Sequence, residues 1–373
     1  MRSRLVMALS LLLPAIYAAD SSAEYGLNMP RGVTDISHSV YDLHMTIFWI
    51  CVAIGVVVFG VMFYSIFKHR KSKGAVASNF HENTTVEIVW TIVPVIILVV
   101  MAIPATKTLI EMYDTSDADV DIKVTGYQWK WRYEYLGEGV DYFSNLSTPK
   151  DEIYNAQTKN ENYLLEVDNE LVVPIGKKIR FLITANDVIH SWWVPDFAVK
   201  KDAIPGFINE TWTKINEPGI YRGQCTELCG KDHGFMPVVV RAVEQGEYDE
   251  WLAEKQAEAK AAAELAKLTF TLEEQMERGE KVYATNCAAC HQANGLGIPP
   301  AFPALAGSEI ATKLLDKHIE VVVDGVPGSA MQAYGAQLSE VDIAAVITYE
   351  RNAWGNDTGD NISAKDIVEY KNK

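Results

Sequence analysis

The sequence predicts a multi-domain membrane protein with a two-helix transmembrane hairpin, then a β-sandwich, then an all-α domain. Two uninterrupted apolar blocks lie near the N-terminus, short β-rich runs fill residues 120–242, and capped helical stretches surround a C-x-x-C-H motif beyond residue 271. At 373 residues the chain is too long for one ordinary core, so two or three domains are expected.

The formal net charge of −16 argues against nucleic-acid binding and favours basic partners drawn in by electrostatic steering. Of the five cysteines, Cys225 with Cys229 and Cys287 with Cys290 form short-spaced pairs, a pattern of cofactor ligation rather than of a disulfide framework. Cys51 sits mid-span among Ile, Val and Ala and reads as a small apolar residue.

Residues 1–19 carry Arg2 and Arg4, a short apolar run and then small residues, the pattern of a secretory signal peptide. Cleavage is expected near Ala18 or Ala19. Ile16 or Tyr17 at the −3 position fits the small-x-small rule poorly, and an uncleaved anchor is the alternative. Residues 20–111 are read as an N-terminal segment and a hairpin of two spans. Residues 45–67 are uncharged throughout, about 35 Å of helix, and residues 88–106 form the second span. Pro94 and Pro104 are tolerated there when neighbouring helices satisfy the freed carbonyls. The connecting loop holds Lys68, Arg70, Lys71 and Lys73, while the outer flanks hold Asp35, Asp42, Glu111, Asp114 and Asp117. By the positive-inside rule the loop is cytoplasmic and both termini lie outside.

Residues 112–245 are read as the sandwich. The runs DIKVTGYQWKWRYEY, LLEVDNELVVPIG, KKIRFLITAND and PVVVRAVE, separated by turn residues, have antiparallel strand character. Within GQCTELCGKDHGFMP, Cys225, Glu227, Cys229, His233 and Met236 read C-x-E-x-C-x-x-x-H-x-x-M, and His190 in VIHSWWVP lies 35 positions earlier. Two thiolates, two imidazoles and a thioether are soft-to-borderline donors suited to copper. Zinc would take Cys₂His₂ but gains nothing from the methionine. One thiolate suffices for a mononuclear blue site, so the second points to two coppers bridged by both sulfurs.

These residues resemble subunit 2 of haem–copper cytochrome c oxidases, over residues 25–242 or so and including both spans. The resemblance implies a cupredoxin-like domain with the dinuclear CuA centre. Cys225 and Cys229 would be the bridging thiolates, His190 and His233 the terminal ligands, Met236 a weak axial ligand to one copper and the Glu227 carbonyl a ligand to the other. It further implies a magnesium ion shared with subunit 1 at the Glu227 carboxylate, while Asp202 in KDAIPG receives no ligand role. In GYQWKWRYEY, Trp129 would lie over the copper as the residue where electrons enter, the rest of that run reading as one packed face. Glu87, in VEIVW, matches a glutamate at the mouth of a proton path, though a carboxylate there can equally be solvated at the interface.

Residues 246–270 are rich in Ala, Glu and Lys with no proline, and read as a helical linker, either an exposed spacer or a packed edge helix. Residues 271–355 open with a capping box, Thr271 with Glu274, and lead into Cys287-Ala-Ala-Cys290-His291. C-x-x-C-H is the attachment signature of c-type haem: both thiols add to the vinyl groups and the histidine ligates iron. Met331, 40 residues after His291, is the natural sixth ligand, because Met/His ligation raises the potential. Met276 reads as core, and His318, in a polar helical stretch, as solvated rather than axial. A second capped helix runs from Ser339 through Trp354, and residues 356–373 look like a polar tail.

This last domain is similar to class I cytochromes c, and a CuA subunit with such a fused tail resembles a bacterial branch of the oxidase family. The resemblance implies the electron-input subunit of a proton-pumping cytochrome c oxidase. Its copper and haem domains would lie on the outer, periplasmic side of the bacterial cytoplasmic membrane, and the oxygen-reducing site in subunit 1. From residue 271 onward there are 15 Asp/Glu and 8 Lys/Arg, a formal −7 that suits a basic donor such as cytochrome c or a bc1 complex. The alternatives are a CuA nitric oxide reductase subunit and a free-standing membrane-tethered electron carrier.

Overall fold

The computed structural model describes residues 28–76, 79, 81–326, 329–335 and 337–371, so the signal-like residues 1–19 lie outside the described residues. The chain divides into two compact units. One holds the residues up to Tyr133 with Ser144–Gln245, the other Glu134–Phe143 with Gly246–Lys373.

The first unit begins with two long helices, α1 (Asp35–Lys68) and α2 (Thr84–Tyr113), which extend beyond the apolar runs of the sequence at both ends. Thr34 and Ser37 form a capping box at the start of α1, and Asn83 caps α2 by accepting from the Val86 N–H. Neither helix buries its apolar stretch within the chain, so these surfaces must be covered by lipid or by other subunits. Their outer ends are pinned to the sandwich. The Trp212 indole donates to the Glu111 carbonyl at 3.0 Å, and Asn216 donates to the Asp35 carboxylate at 2.8 Å.

The sandwich is built from two five-stranded sheets. One runs β3 (Val140–Ser144), β2 (Lys130–Tyr135), β1 (Val120–Tyr127), β5 (Ile179–Ala185), β8 (Asn209–Thr213). The other runs β4 (Leu171–Pro174), β10 (Pro237–Val243), β9 (Gly219–Cys225), β6 (His190–Val194), β7 (Val199–Ala203). The β1–β5 and β10–β4 pairs are parallel, with Val120 opposite Ile179 and Val240 opposite Leu171. Alternation fixes which side faces in: Ile179, Phe181, Ile183 and Ala185 of β5 are buried and the residues between them are not. Trp131, Tyr133 and Trp192 fill the interior. The run read from sequence as one strand, DIKVTGYQWKWRYEY, is two strands joined by a turn at Gln128–Trp129. That turn puts Trp129 at a loop tip instead of on the packed face. A single turn of helix, α3 (Lys150–Ile153), lies between β3 and β4.

The second unit opens with α4 (Gln245–Leu265), in whose first turns Trp251 packs against Tyr135, Tyr142 and Tyr248, with a centroid separation of 5.1 Å for Tyr135 and Trp251. Next come α5 (Leu272–Asn286), the turn α6 (Ala288–His291), α7 (Glu309–Lys313), α8 (Leu315–Asp324) and α9 (Glu340–Asn352). The Thr271–Glu274 capping box is present and Ser339 caps α9. Helices α5 and α9 cross closely at Gly279, where a Cβ would come within 2.1 Å of the Ala345 carbonyl oxygen. Tyr283, Ile319, Val322, Ile343 and Ile347 form the core around that crossing.

Two expectations are corrected in this unit. Residues 356–373 are not merely a polar tail. Helix α10 (Ala364–Lys371) buries Ala364 and Ile367, Ile362 is buried just before it, and Tyr370 donates a hydrogen bond to Asp324. Three apolar side chains in a polar stretch suffice to dock it. His318 is not solvated either: it is 2% exposed, because Glu350 of α9 offers its ring a buried partner.

Candidate metal centre and haem pocket

At one end of the sandwich the loop following β9 returns into β10 and carries four of the proposed ligands, while His190 arrives from the start of β6. Ligand atoms of His190, Cys225 and Cys229 lie within 4.8 Å of one another, all three residues buried. The two sulfurs are 3.8 Å apart, and Cys229 Sγ is 3.5 Å from both His233 Nδ1 and Met236 Sδ. Cys225 Sγ lies 3.3 Å from the Glu227 carbonyl oxygen. All six residues expected from the sequence therefore meet at one point.

The charges fit a cation there. Burial opposes ionisation of Cys225, but the neighbouring His190 ring and hydrogen bonds from the backbone hold its thiol below the ordinary thiol range. Cys229 is pushed up to about 12 by burial and by the charge on Cys225. Two thiols this close cannot both ionise on their own, and a metal between them allows it. The His190 ring is oriented for the same purpose. Its Nε2 is 2.8 Å from Asp187 Oδ1, and its buried Nδ1 finds no hydrogen-bond partner among the described residues. A carboxylate on one ring nitrogen fixes the tautomer that leaves the other free for a metal. Asp187 is held in turn by the backbone N–H groups of Gln128 and Val188, both at 2.7 Å.

Trp129 and Gln128 close over the ligand loop. The Trp129 indole donates to the Cys229 carbonyl at 3.2 Å, and the Gln128 amide donates to the same oxygen at 2.7 Å. Gly230, with φ of +122°, admits them, since a Cβ there would stand 3.0 Å from both side chains. Gly126 does the same beneath His190, where a Cβ would come within 2.8 Å of the ring. Gly126→Ala should therefore cost about 1–3 kcal/mol of stability by overpacking and also lower copper occupancy, because the ring must move. A thermal melt alongside copper content per chain checks both; a fully loaded variant would show that the ring position is not decisive. Asp187, Gln128 and the two glycines support the candidate ligand set, and sequence reasoning missed them. Only the three-residue spacing of Asp187 from His190 hinted at any of them.

Of the remaining expected residues, Glu227 has an exposed side chain beside Cys225 and Cys229, and Asp202 is exposed on β7. Glu87 lies in the first turn of α2, exposed, its carbonyl accepting from the Thr91 hydroxyl at 2.8 Å.

In the second unit, Cys287, Cys290, His291 and Met331 line a largely apolar cavity of about 460 Å³. His291 Nδ1 donates to the Pro303 carbonyl at 2.9 Å, which leaves Nε2 as the free electron pair. Both thiols, one oriented imidazole and one thioether thus converge on a pouch suited to a covalently held planar group. Met276 is half-buried on α5 and does not line it.

Comparison with known proteins agrees with this division. Residues 22–108 match the family model for the cytochrome c oxidase subunit II transmembrane domain, and residues 120–243 that for its periplasmic domain. A probable cytochrome c oxidase subunit 2 of Rickettsia bellii is 38% identical over 220 residues, which cover 59% of this chain and 80% of that one. The chain belongs to the cytochrome c oxidase subunit II family. Residues 274–349 match the model for subunit III of cbb3-type cytochrome c oxidase. A subunit 2 of Alkalihalophilus pseudofirmus is 32% identical over 332 residues, 84% of this chain and 86% of its own length. Among solved structures, the periplasmic domain of subunit II of Bradyrhizobium japonicum cytochrome oxidase is 44% identical, covering 39% of this chain and 98% of that one with a TM-score of 0.35. The chain is thus an oxidoreductase subunit of a haem–copper oxidase complex with two membrane-crossing helices. Its periplasmic domain implies CuA copper, its cytochrome c domain implies haem, and its place in the complex is electron input.

Proposed function

We propose that this subunit takes electrons from a cytochrome c-type donor and delivers them to subunit 1 of a proton-pumping oxidase in the bacterial cytoplasmic membrane. The observation that carries the reading is the presence, on one chain, of a converged thiolate–imidazole–thioether set and of a separate thiol-lined pouch. Both follow the second membrane helix, so they share the outer side. When bound, copper and haem c would supply one-electron redox chemistry at these two sites.

The chain's own residues hold and insulate these groups. Cys225 and Cys229 would bridge, His190 through Nδ1 and His233 would terminate, and Met236 and the Glu227 carbonyl would stand as weaker ligands. Burial of both sulfurs excludes water and limits rearrangement between redox states. In the haem pouch His291 and Met331 would be the axial ligands. The exposed Glu227 carboxylate would contribute to a magnesium ion at the subunit 1 boundary, and Glu87 would stand at the mouth of a proton path. The acidic haem domain would draw in a basic donor, soluble cytochrome c or a bc1 complex.

Met331→His should retain covalent haem, which needs only Cys287, Cys290 and His291, yet lower the reduction potential, since bis-histidine ligation favours ferric iron. A redox titration showing an unchanged potential, with the methionine–iron absorption band intact, would point to another sixth ligand. The reading as a whole is tested by purifying the intact complex. A subunit 1 with haem a and oxygen consumption supports it. Nitric oxide reduction without oxygen uptake selects the reductase alternative, and purification without catalytic partners selects a free-standing carrier.

A further inference from the structure

Both axial candidates of the haem pouch depend on irregular chain. The Pro303 carbonyl that orients His291 lies between α6 and α7, and Met331 lies between α8 and α9. Backbone outside helices and strands is the most mobile part of a fold, so a ligand carried there has to be held by contacts from elsewhere. The segment that follows α9, Ala353–Lys371, supplies such contacts on both sides.

On the His291 side, half-buried Asn356 ties two stretches of chain together. Its amide donates to the Leu305 carbonyl at 3.2 Å and to the Glu350 carbonyl at 2.6 Å, and its own oxygen accepts from the Gly307 N–H at 2.7 Å. The stretch just beyond Pro303 is thereby fastened to the end of α9. Trp354 adds a second tie, its indole donating at 3.1 Å to the carbonyl of Ala293, two residues after His291. Gly295, with φ of +69°, admits that ring, since a Cβ there would stand 2.5 Å from it.

On the Met331 side, Tyr370 of α10 donates to the carboxylate of Asp324, the last residue of α8. The next residue, Gly325, touches the Met331 backbone: its φ is +70°, and a Cβ would lie 2.7 Å from the Met331 carbonyl oxygen. That oxygen accepts from the Val326 N–H at 3.0 Å. Holding Asp324 therefore holds the backbone on which Met331 is seated. Between its two ends the segment is pinned. Arg351 donates to Asp360 at 2.7 Å, Gln275 of α5 donates to the Ile362 carbonyl at 2.7 Å, and Ile367 is fully buried.

We propose that this C-terminal strap positions both axial ligands of the pouch, Asn356 through the wall that orients His291 and Tyr370 through the root of the chain that carries Met331. The proposal rests on the haem reading of the pouch. A thioether is a weak, neutral donor, so its hold on iron relies on a backbone already set in place. A carbonyl accepting from the far nitrogen of an axial imidazole raises that ligand's basicity, which favours ferric iron. Loosening the Met331 side should thus admit a competing donor, and loosening the Pro303 side should raise the reduction potential. Asn356 and Tyr370 are positioning residues, neither of them lining the cavity.

The test uses the purified complex and the spectrum of its c-type haem. Tyr370→Phe keeps the ring and removes only the hydroxyl. Added imidazole, which competes for the place of Met331 on the oxidised haem, should then bind about fivefold more tightly than in the wild type, the factor expected for one lost hydrogen bond. Asn356→Ala should raise the haem reduction potential in an optical redox titration. A strap that only stabilises the fold predicts lower melting temperatures with both readouts unmoved in the molecules that fold. Covalent haem with wild-type imidazole affinity in the Phe variant, or with wild-type potential in the Ala variant, overturns the proposal. Should the Ala variant fail to acquire haem, the imidazole titration of Tyr370→Phe decides alone. Absence of covalent haem from the wild type would instead remove the reading of the pouch, and that is seen before either variant is made.

Discussion

Changing Cys229 to Ser should leave at most one copper per chain in place of two and abolish mixed-valence delocalisation. Its sulfur is the hub of the ligand set, 3.8 Å from Cys225 Sγ and 3.5 Å from both His233 Nδ1 and Met236 Sδ. A serine hydroxyl stays protonated and is a hard donor poorly matched to copper, so both the bridge and its charge are lost. Folding should suffer much less. The hydroxyl is left in a site only 3% exposed, an unsatisfied polar group costing about 1–3 kcal/mol. Copper content and EPR of the purified chain, read beside a thermal melt, separate loss of ligation from loss of fold. Full copper loading with an unchanged EPR spectrum would sink the dinuclear assignment.

How much could be read beforehand followed the range of the interaction concerned. Cys225, Glu227, Cys229, His233 and Met236 share one short loop, so their spacing alone displayed the donor set. The Thr271–Glu274 capping box and the Ser339 cap were legible for the same reason, since a helix start is written within four residues. Gly126 was not legible: its absent side chain matters only because His190, 64 residues later, packs upon it. Asp187 and Gln128 gain meaning from a turn that sequence periodicity had run through as one strand. The polar surroundings of His318 gave no sign of burial, because its partner lies 32 residues away on another helix. The docking of α10 was lost likewise, its few apolar residues being too sparse to show a period. Local chemistry was visible, and the packing that tunes it was not.

Trp129→Phe should leave both metal sites spectroscopically intact while slowing electron transfer into copper by at least tenfold, the effect of about 1.4 kcal/mol on the barrier. The indole N–H is the direct link, donating to the Cys229 carbonyl at 3.2 Å, and phenylalanine cannot make it. The fold is insured by a neighbour: Gln128 donates to that same oxygen at 2.7 Å, so the carbonyl remains satisfied and the ligand loop stays closed. Loss of one hydrogen bond and some ring area then costs a few kcal/mol at most. A purely structural Trp129 predicts the reverse, with lower stability and normal transfer in molecules that fold. Flash-induced or stopped-flow reduction of copper, recorded with a thermal melt, separates the two. The fused haem can dock elsewhere than a soluble donor does, so the measurement is repeated with soluble cytochrome c on the chain shortened before residue 271. If both donors reduce copper in the Phe variant at the wild-type rate, electrons enter by another route and Trp129 only holds the loop.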